Sequence, residues 1–112
     1  AYRDRVQSIP LVSLNTEPVD TVNGAWMPTA VFELESEVTQ EKLTMAFQRE
    51  NIDARVFFWP LSSLPMFTPV HENVVARSIC QRAINLPSYH DITDHDIDRV
   101  CNVLSEAVKM GK

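Results

Sequence analysis

The sequence predicts one α/β or α+β layer domain, a small sheet with helices packed on one face. Three observations lead there. The chain has 112 residues, the length of a single ordinary domain. Two segments, Trp26–Leu34 and Ile52–Trp59, are rich in β-branched and aromatic residues and read as strands. Other segments repeat apolar residues at helical spacing, two of them behind residues suited to helix capping. Strands and helices that each have one apolar side must cover one another in layers.

Along the chain, Ala1–Ser8 is charged and helix-compatible, and Ile9–Leu14 is a short extended segment. Asn15–Asn23 is polar, contains Pro18, and forms a loop with Gly24. In the strand Trp26–Leu34, Ala30, Phe32 and Leu34 alternate with Thr29, Val31 and Glu33, so the two sets face opposite ways. Pro28 suits a strand start or an edge. Thr39 caps the next helix, and Val38 can pack on Leu43 as a hydrophobic staple. Leu43, Ala46 and Phe47 form its inner stripe, and Asn51 tolerates the left-handed conformation that ends a helix. The strand Ile52–Trp59 follows, then a loop from Pro60 to Pro69. His71–Ala83 reads as a helix with Val75, Ile79 and Val74 inward, and Ile84–Pro87 as a short strand. Thr93 opens the last helix with Asp96 three residues on, a capping box, and Ile92 and Ile97 form a second staple. Ile97, Val100, Cys101, Leu104 and Val108 continue at helical spacing to Gly111.

Composition excludes several functions. Hydrophobic residues make up 45% and charged residues 22%, the balance of a globular chain rather than a disordered one. The net charge is −5 with no Lys/Arg cluster, which argues against a nucleic-acid or anionic-membrane surface. No apolar run approaches the roughly 20 residues needed to span a bilayer. The start carries no signal-peptide pattern and no Met, so Ala1 is expected to be a cut end and the protein cytoplasmic. Cys80 and Cys101 fall inside apolar helical patterns and read as reduced, packed thiols.

Most candidate sites have plain structural explanations. His90 and His95 sit among Asp91, Asp94, Asp96 and Asp98, but the spacing fits no zinc or calcium pattern, and acidic residues suit a helix start. Gly24 and Gly111 are the only glycines, so no phosphate-binding glycine loop exists. A nucleophile at Ser62 or Ser63 needs a base that the sequence does not supply. The stretch "NIDARVFFWPLSSLPMF", Asn51–Phe67, is harder to dismiss. Pro60 and Pro65 restrict the loop, while Leu61, Leu64, Met66 and Phe67 keep it apolar. A rigid apolar loop repays its ordering when it walls a pocket or an interface. Arg55, at the head of the strand, suits an anionic group.

That stretch resembles a segment of the sugar aminotransferases of the DegT/DnrJ/EryC1/StrS group. The matching elements are Asn51-Ile52-Asp53-Ala54-Arg55, the aromatics Phe57-Phe58-Trp59, Pro60-Leu61, and Pro65-Met66-Phe67. "RAINLPSYHDITDHDIDRV", Arg82–Val100, is similar to the family's closing motif, and "AWMPTAVFEL" to the strand that enters its small domain. Together they cover about residues 20–108. The resemblance implies a fold-type-I, pyridoxal phosphate (PLP)-dependent homodimer that moves an amino group from glutamate to a nucleotide-linked keto sugar, in amino-sugar or surface-polysaccharide biosynthesis. It places this chain as the C-terminal small domain, with a mostly antiparallel sheet and residues 1–8 ending the inter-domain helix. The cofactor lysine belongs to the preceding large domain. Lys42, Lys109 and Lys112 match no cofactor-lysine motif, so the isolated chain is expected to be inactive. By the same resemblance, Arg55, Phe58, Trp59, Ser62 and Ser63 lie near cofactor or substrate. Two departures stand out: Ser62 occupies a position where many members carry histidine, and Val56 replaces a frequent proline. The first bears on acceptor identity, because that side chain can help bind the acceptor. A member turned to dehydration or regulation is a close variant. The alternative is a stand-alone α/β binding or interaction module without catalysis. The enzyme reading also expects a sizeable exposed apolar patch around Phe58–Phe67.

Overall fold

The computed structural model describes residues 1–111. The elements are α1 (Tyr2–Val6), β1 (Val12–Ser13), β2 (Thr29–Phe32), α2 (Gln40–Arg49), β3 (Arg55–Val56), α3 (Val75–Cys80), β4 (Ala83–Asn85) and α4 (Asp94–Gly111). Single 3-10 turns occupy Leu34–Ser36 and Leu61–Ser63. The strands form one antiparallel sheet in the order β1-β2-β4-β3. The fold is thus the mixed α/β layer domain that the sequence predicts.

Register determines the layers. Ala30 pairs with Ile84, so Ala30, Phe32 and Ile84 share one face. Leu43 and Phe47 of α2, and Ile97, Val100, Leu104 and Val108 of α4, join that face in one buried cluster. Each such large apolar side chain contributes about 1.5–3 kcal/mol relative to remaining exposed. Val6 and Ile9 add α1 and the turn after it. Tyr2 Oη donates to the Pro87 carbonyl at 2.7 Å, and the Arg5 guanidinium bonds both Asp94 and Asp98 of α4.

The caps match their expectations. Thr39 Oγ1 accepts the Lys42 N–H at 3.3 Å. Thr93 Oγ1 accepts the Asp96 N–H at 3.1 Å, and Asp96 Oδ2 accepts the Thr93 N–H at 3.3 Å. Asn51 takes φ 54°, in the left-handed region beyond α2. Cys80 and Cys101 are free and buried.

Other expectations need correction. The strand Ile52–Trp59 is reduced to Arg55–Val56. Its only partner, β4, is three residues long, and β-propensity without a ladder does not make a strand. Trp26–Leu34 is a strand only over Thr29–Phe32; Leu34 turns into the 3-10 segment and is 70% exposed rather than inward. Thr29, on the opposite face from Ala30, is nevertheless buried, with its hydroxyl bonded to the Asn85 side chain and its N–H to that of Asn15. The helix expected over His71–Ala83 forms only at Val75–Cys80. Val74 and Val75 are 58% and 67% exposed, and Ile79 is half-buried. Only the C-terminal end of α3, at Cys80, is fully buried.

Gly111 has a different role from the one its position suggests. It closes α4 without a positive φ. A Cβ there would lie 2.1 Å from the Ser36 carbonyl oxygen and 3.0 Å from Val38 Cγ2. Glycine therefore lets the end of α4 touch the 3-10 turn after β2. Gly111→Ala should lower stability by about 1–3 kcal/mol, the usual cost of overpacking, measurable by urea titration. An unchanged midpoint would mean that the helix end yields freely.

Candidate functional site

Two neighbouring surfaces emerge from these elements. The first is a cleft of about 510 Å³ whose lining includes Trp26, Asp53, Arg55, Tyr89, Asp96 and Arg99. β3 brings Arg55 there, the segment between β4 and α4 brings Tyr89, and the first turn of α4 brings Asp96. Arg55 is fixed locally: its Nε and Nη2 donate to the two carboxylate oxygens of Asp53 at 2.9 and 3.1 Å. This carboxylate raises the Arg55 pKa further, so the guanidinium stays charged. Arg99 donates to the Glu50 carbonyl at 2.8 Å. The cleft thus combines two guanidinium groups with the exposed aromatic rings of Trp26 and Tyr89.

The second surface is an apolar ledge. Phe58, Trp59, Leu61, Met66 and Phe67 are each more than half exposed, Trp59 by 62%. Val74 and Val75, expected to point inward, are exposed too. The ledge has internal order. Phe57 and Phe58 meet edge to face, with centroids 5.8 Å apart. Pro60 is buried, and its carbonyl accepts the Ser63 N–H at 2.9 Å. Leu64 N–H donates to the Leu61 carbonyl at 3.0 Å and Phe67 N–H to the Leu64 carbonyl at 3.1 Å. Ser62 is half-buried in this turn and Ser63 exposed. The sizeable apolar exposure expected around Phe58–Phe67 is present.

The residues singled out in the sequence are therefore divided. Arg55 lines the cleft; Phe58, Trp59, Ser62 and Ser63 do not, and belong to the ledge or the turn within it. Sequence reasoning missed Trp26, Tyr89, Asp96 and Arg99 as neighbours of Arg55. Trp26 precedes a strand and Tyr89 follows Leu86-Pro87-Ser88; aromatics beside such chain breaks were the available signal. Among the described residues, no cluster of three or more His, Cys, Asp or Glu could hold a metal ion, and no helix is long and apolar enough to cross a membrane.

With this geometry in hand, comparison with known proteins is decisive. The model of the DegT/DnrJ/EryC1/StrS aminotransferase family matches residues 1–105. The chain belongs to this family. GDP-perosamine synthase of Vibrio cholerae is 27% identical over 106 residues, covering 92% of this chain and 29% of that protein. GDP-perosamine synthase of Escherichia coli O157:H7 is 24% identical over 106 residues, 94% of this chain and 28% of that protein. The chain thus spans less than a third of the length of these relatives. Among solved structures, DesI in the presence of its TDP-sugar product superposes with TM-score 0.79 at 19% identity, covering 98% of this chain and 29% of that one. Spr1654 of Streptococcus pneumoniae in its PLP-form gives TM-score 0.74 at 14% identity, covering 99% and 29%. At such identity these structures establish the fold.

The family is PLP-dependent, and a PLP enzyme needs a lysine at the cofactor aldehyde. Lys42 donates to the Glu37 carbonyl at 3.2 Å and Lys109 pairs with Glu106 at 2.7 Å; neither lines the cleft.

Asp96 ties the cleft to the start of α4. Hydrogen bonds from the Thr93 side chain and backbone hold its carboxyl below the usual range, and Tyr89 Oη adds a third donor at 3.2 Å. A carboxylate with a lowered folded pKa stabilises the fold above its unfolded value, and that contribution fades as pH falls through the folded one. Thr93→Ala should therefore cost more stability at about pH 7 than at about pH 3, in thermal melts compared with the parent chain. An equal cost at both values would remove Asp96 from this account.

Proposed function

We propose that this chain is the C-terminal small domain of a PLP-dependent aminotransferase that transfers an amino group from glutamate to a nucleotide-linked keto sugar. Residues 1–8 end the helix joining it to a preceding large domain, which carries the cofactor lysine. The observation that carries the reading is the exposure of Phe58, Trp59, Leu61, Met66 and Phe67. A domain with a buried core of its own still leaves these large apolar side chains uncovered within one short stretch, and such a surface marks an interaction site. Its position matches the family segment, on a chain that spans 29% of a relative's length.

The division of labour follows from the chemistry. The cofactor supplies the electron sink, held by the large domain. This chain supplies a wall. Phe58 and Trp59 offer apolar faces to a sugar or base, Arg55 a fixed cation to an anionic group, and Ser62 and Ser63 short hydroxyls. The ledge also excludes water from the space it borders, which strengthens the electrostatic contacts made there. In the full protein we place two copies together as a homodimer acting in the cytoplasm, in amino-sugar or surface-polysaccharide synthesis. The 112-residue chain alone has no transaminase activity.

The test uses the full-length protein, glutamate and a panel of nucleotide-linked keto sugars, with 2-oxoglutarate release as the readout. Arg55→Ala should lower kcat/KM by about tenfold to a hundredfold, the loss of one charged hydrogen-bonding group. Trp59→Ala should raise KM. Unchanged kinetics in both variants would remove these residues from the site. Failure of the parent protein to transaminate any member of the panel would favour the interaction-module reading.

A further inference from the structure

Resting on that reading, we propose that Asn85 is a positioning residue: its buried side chain fixes the point at which the chain leaves the sheet to form the ledge. The problem it meets is geometric. β3 has only two residues, Arg55 and Val56, and lies at the sheet edge. Such a strand has too few ladder bonds to set the direction of the segment that follows. That segment, Phe57–Ser63, is the one required to face substrate.

Asn85 lies opposite Arg55 in the ladder and is 4% exposed. Its Nδ2 donates to the Val56 carbonyl at 3.3 Å. Val56 is the last residue of β3. The Asn85 Oδ1 accepts from Thr29 Oγ1 at 2.8 Å, and Thr29 is also buried. The backbone N–H of Thr29 in turn donates to Asn15 Oδ1 at 2.7 Å. A line of side chains therefore crosses the sheet from β2 through β4 to β3, on the face that carries Arg55 and away from the helical core. The Leu86 N–H donates to the Pro28 carbonyl at 2.8 Å and holds the same end of β4 against β2.

A buried polar pair is a poor choice if stability is the only requirement. Two apolar residues of the same shape would fill the space as well, because replacing both partners of a buried hydrogen bond is often near neutral. A directional bond to one carbonyl does what packing does not: it selects one orientation of the Val56 peptide. The Phe57–Phe58 contact and the buried Pro60 then carry that orientation into the turn.

Two substitutions in the full-length protein separate positioning from stability. Asn85→Asp keeps the acceptor for Thr29 and, measured at a pH where the carboxyl is ionised, removes the donor to Val56. Thr29→Ser keeps the hydroxyl and serves as the conservative control. Amide hydrogen exchange between Phe57 and Ser63 should accelerate by about tenfold or more in Asn85→Asp, with α4 unchanged. The KM for the keto-sugar acceptor should rise about fivefold or more while kcat falls less. Thr29→Ser should match the parent protein in both. Parent-like exchange at Phe57–Ser63 in Asn85→Asp would overturn the proposal, and so would faster exchange throughout α4. Absence of transamination by the parent protein would sink the reading in the preceding section, and the exchange pattern would still decide the role of Asn85.

Discussion

The structure depends on one contact, the apolar stripe of α4 packed against α2 in the core that the inner face of the sheet also joins. Leu104 and Leu43 are fully excluded from solvent there, and Phe32 and Ile84 close the seam from the sheet side. The other attachments use the same helix. α1 is pinned to it through Arg5, its first turn is closed by Thr93 and Asp96, and its last residue rests on the turn after β2. With α4 fixed at both ends, β4 and the segment leading to Tyr89 have a defined place, and the cleft follows.

Against this firm body, the stretch Asn51–Phe67 behaves differently. It contributes two residues to the sheet and then projects aromatic and aliphatic side chains outward. Its order comes from proline, from short backbone bonds and from the Asn85 bond to the Val56 carbonyl, with few of its own side chains buried. A segment of this kind keeps its shape before a partner arrives, so little ordering entropy is lost on contact. The two prolines that follow the short strand thus hold the aromatic residues ready while leaving them uncovered.

What the sequence made legible follows from the same physics. Capping residues act through local hydrogen bonds, so Thr39 and Thr93 could be recognised without knowing the fold. The stripes of α2 and α4 could be read because both helices bury one side against a core. The misreadings occur where burial is not local. Val74 and Val75 have the spacing of inward residues, yet they face outward, because apolar periodicity marks a side of a helix without showing whether anything covers it. Ile52–Trp59 has strand composition, but only two of its residues find ladder partners. Trp26, Tyr89 and Arg99 come from three separate regions, and only tertiary packing brings them to Arg55. Of the cleft's lining, Arg55 was legible in its strand, while Trp26 and Tyr89 left only the faint signal of aromatics beside chain breaks.

Both outer strands of the sheet, Val12–Ser13 and Arg55–Val56, are two residues long. An edge this brief offers almost no row of free peptide groups for another chain to extend. The sheet is in effect self-terminating, and its growth into a larger ladder or a fibril is blocked from both sides. Association is left to side chains, whose shapes discriminate between neighbours far better than a generic backbone does. A domain that displays so much aromatic surface can thus remain selective about what it touches.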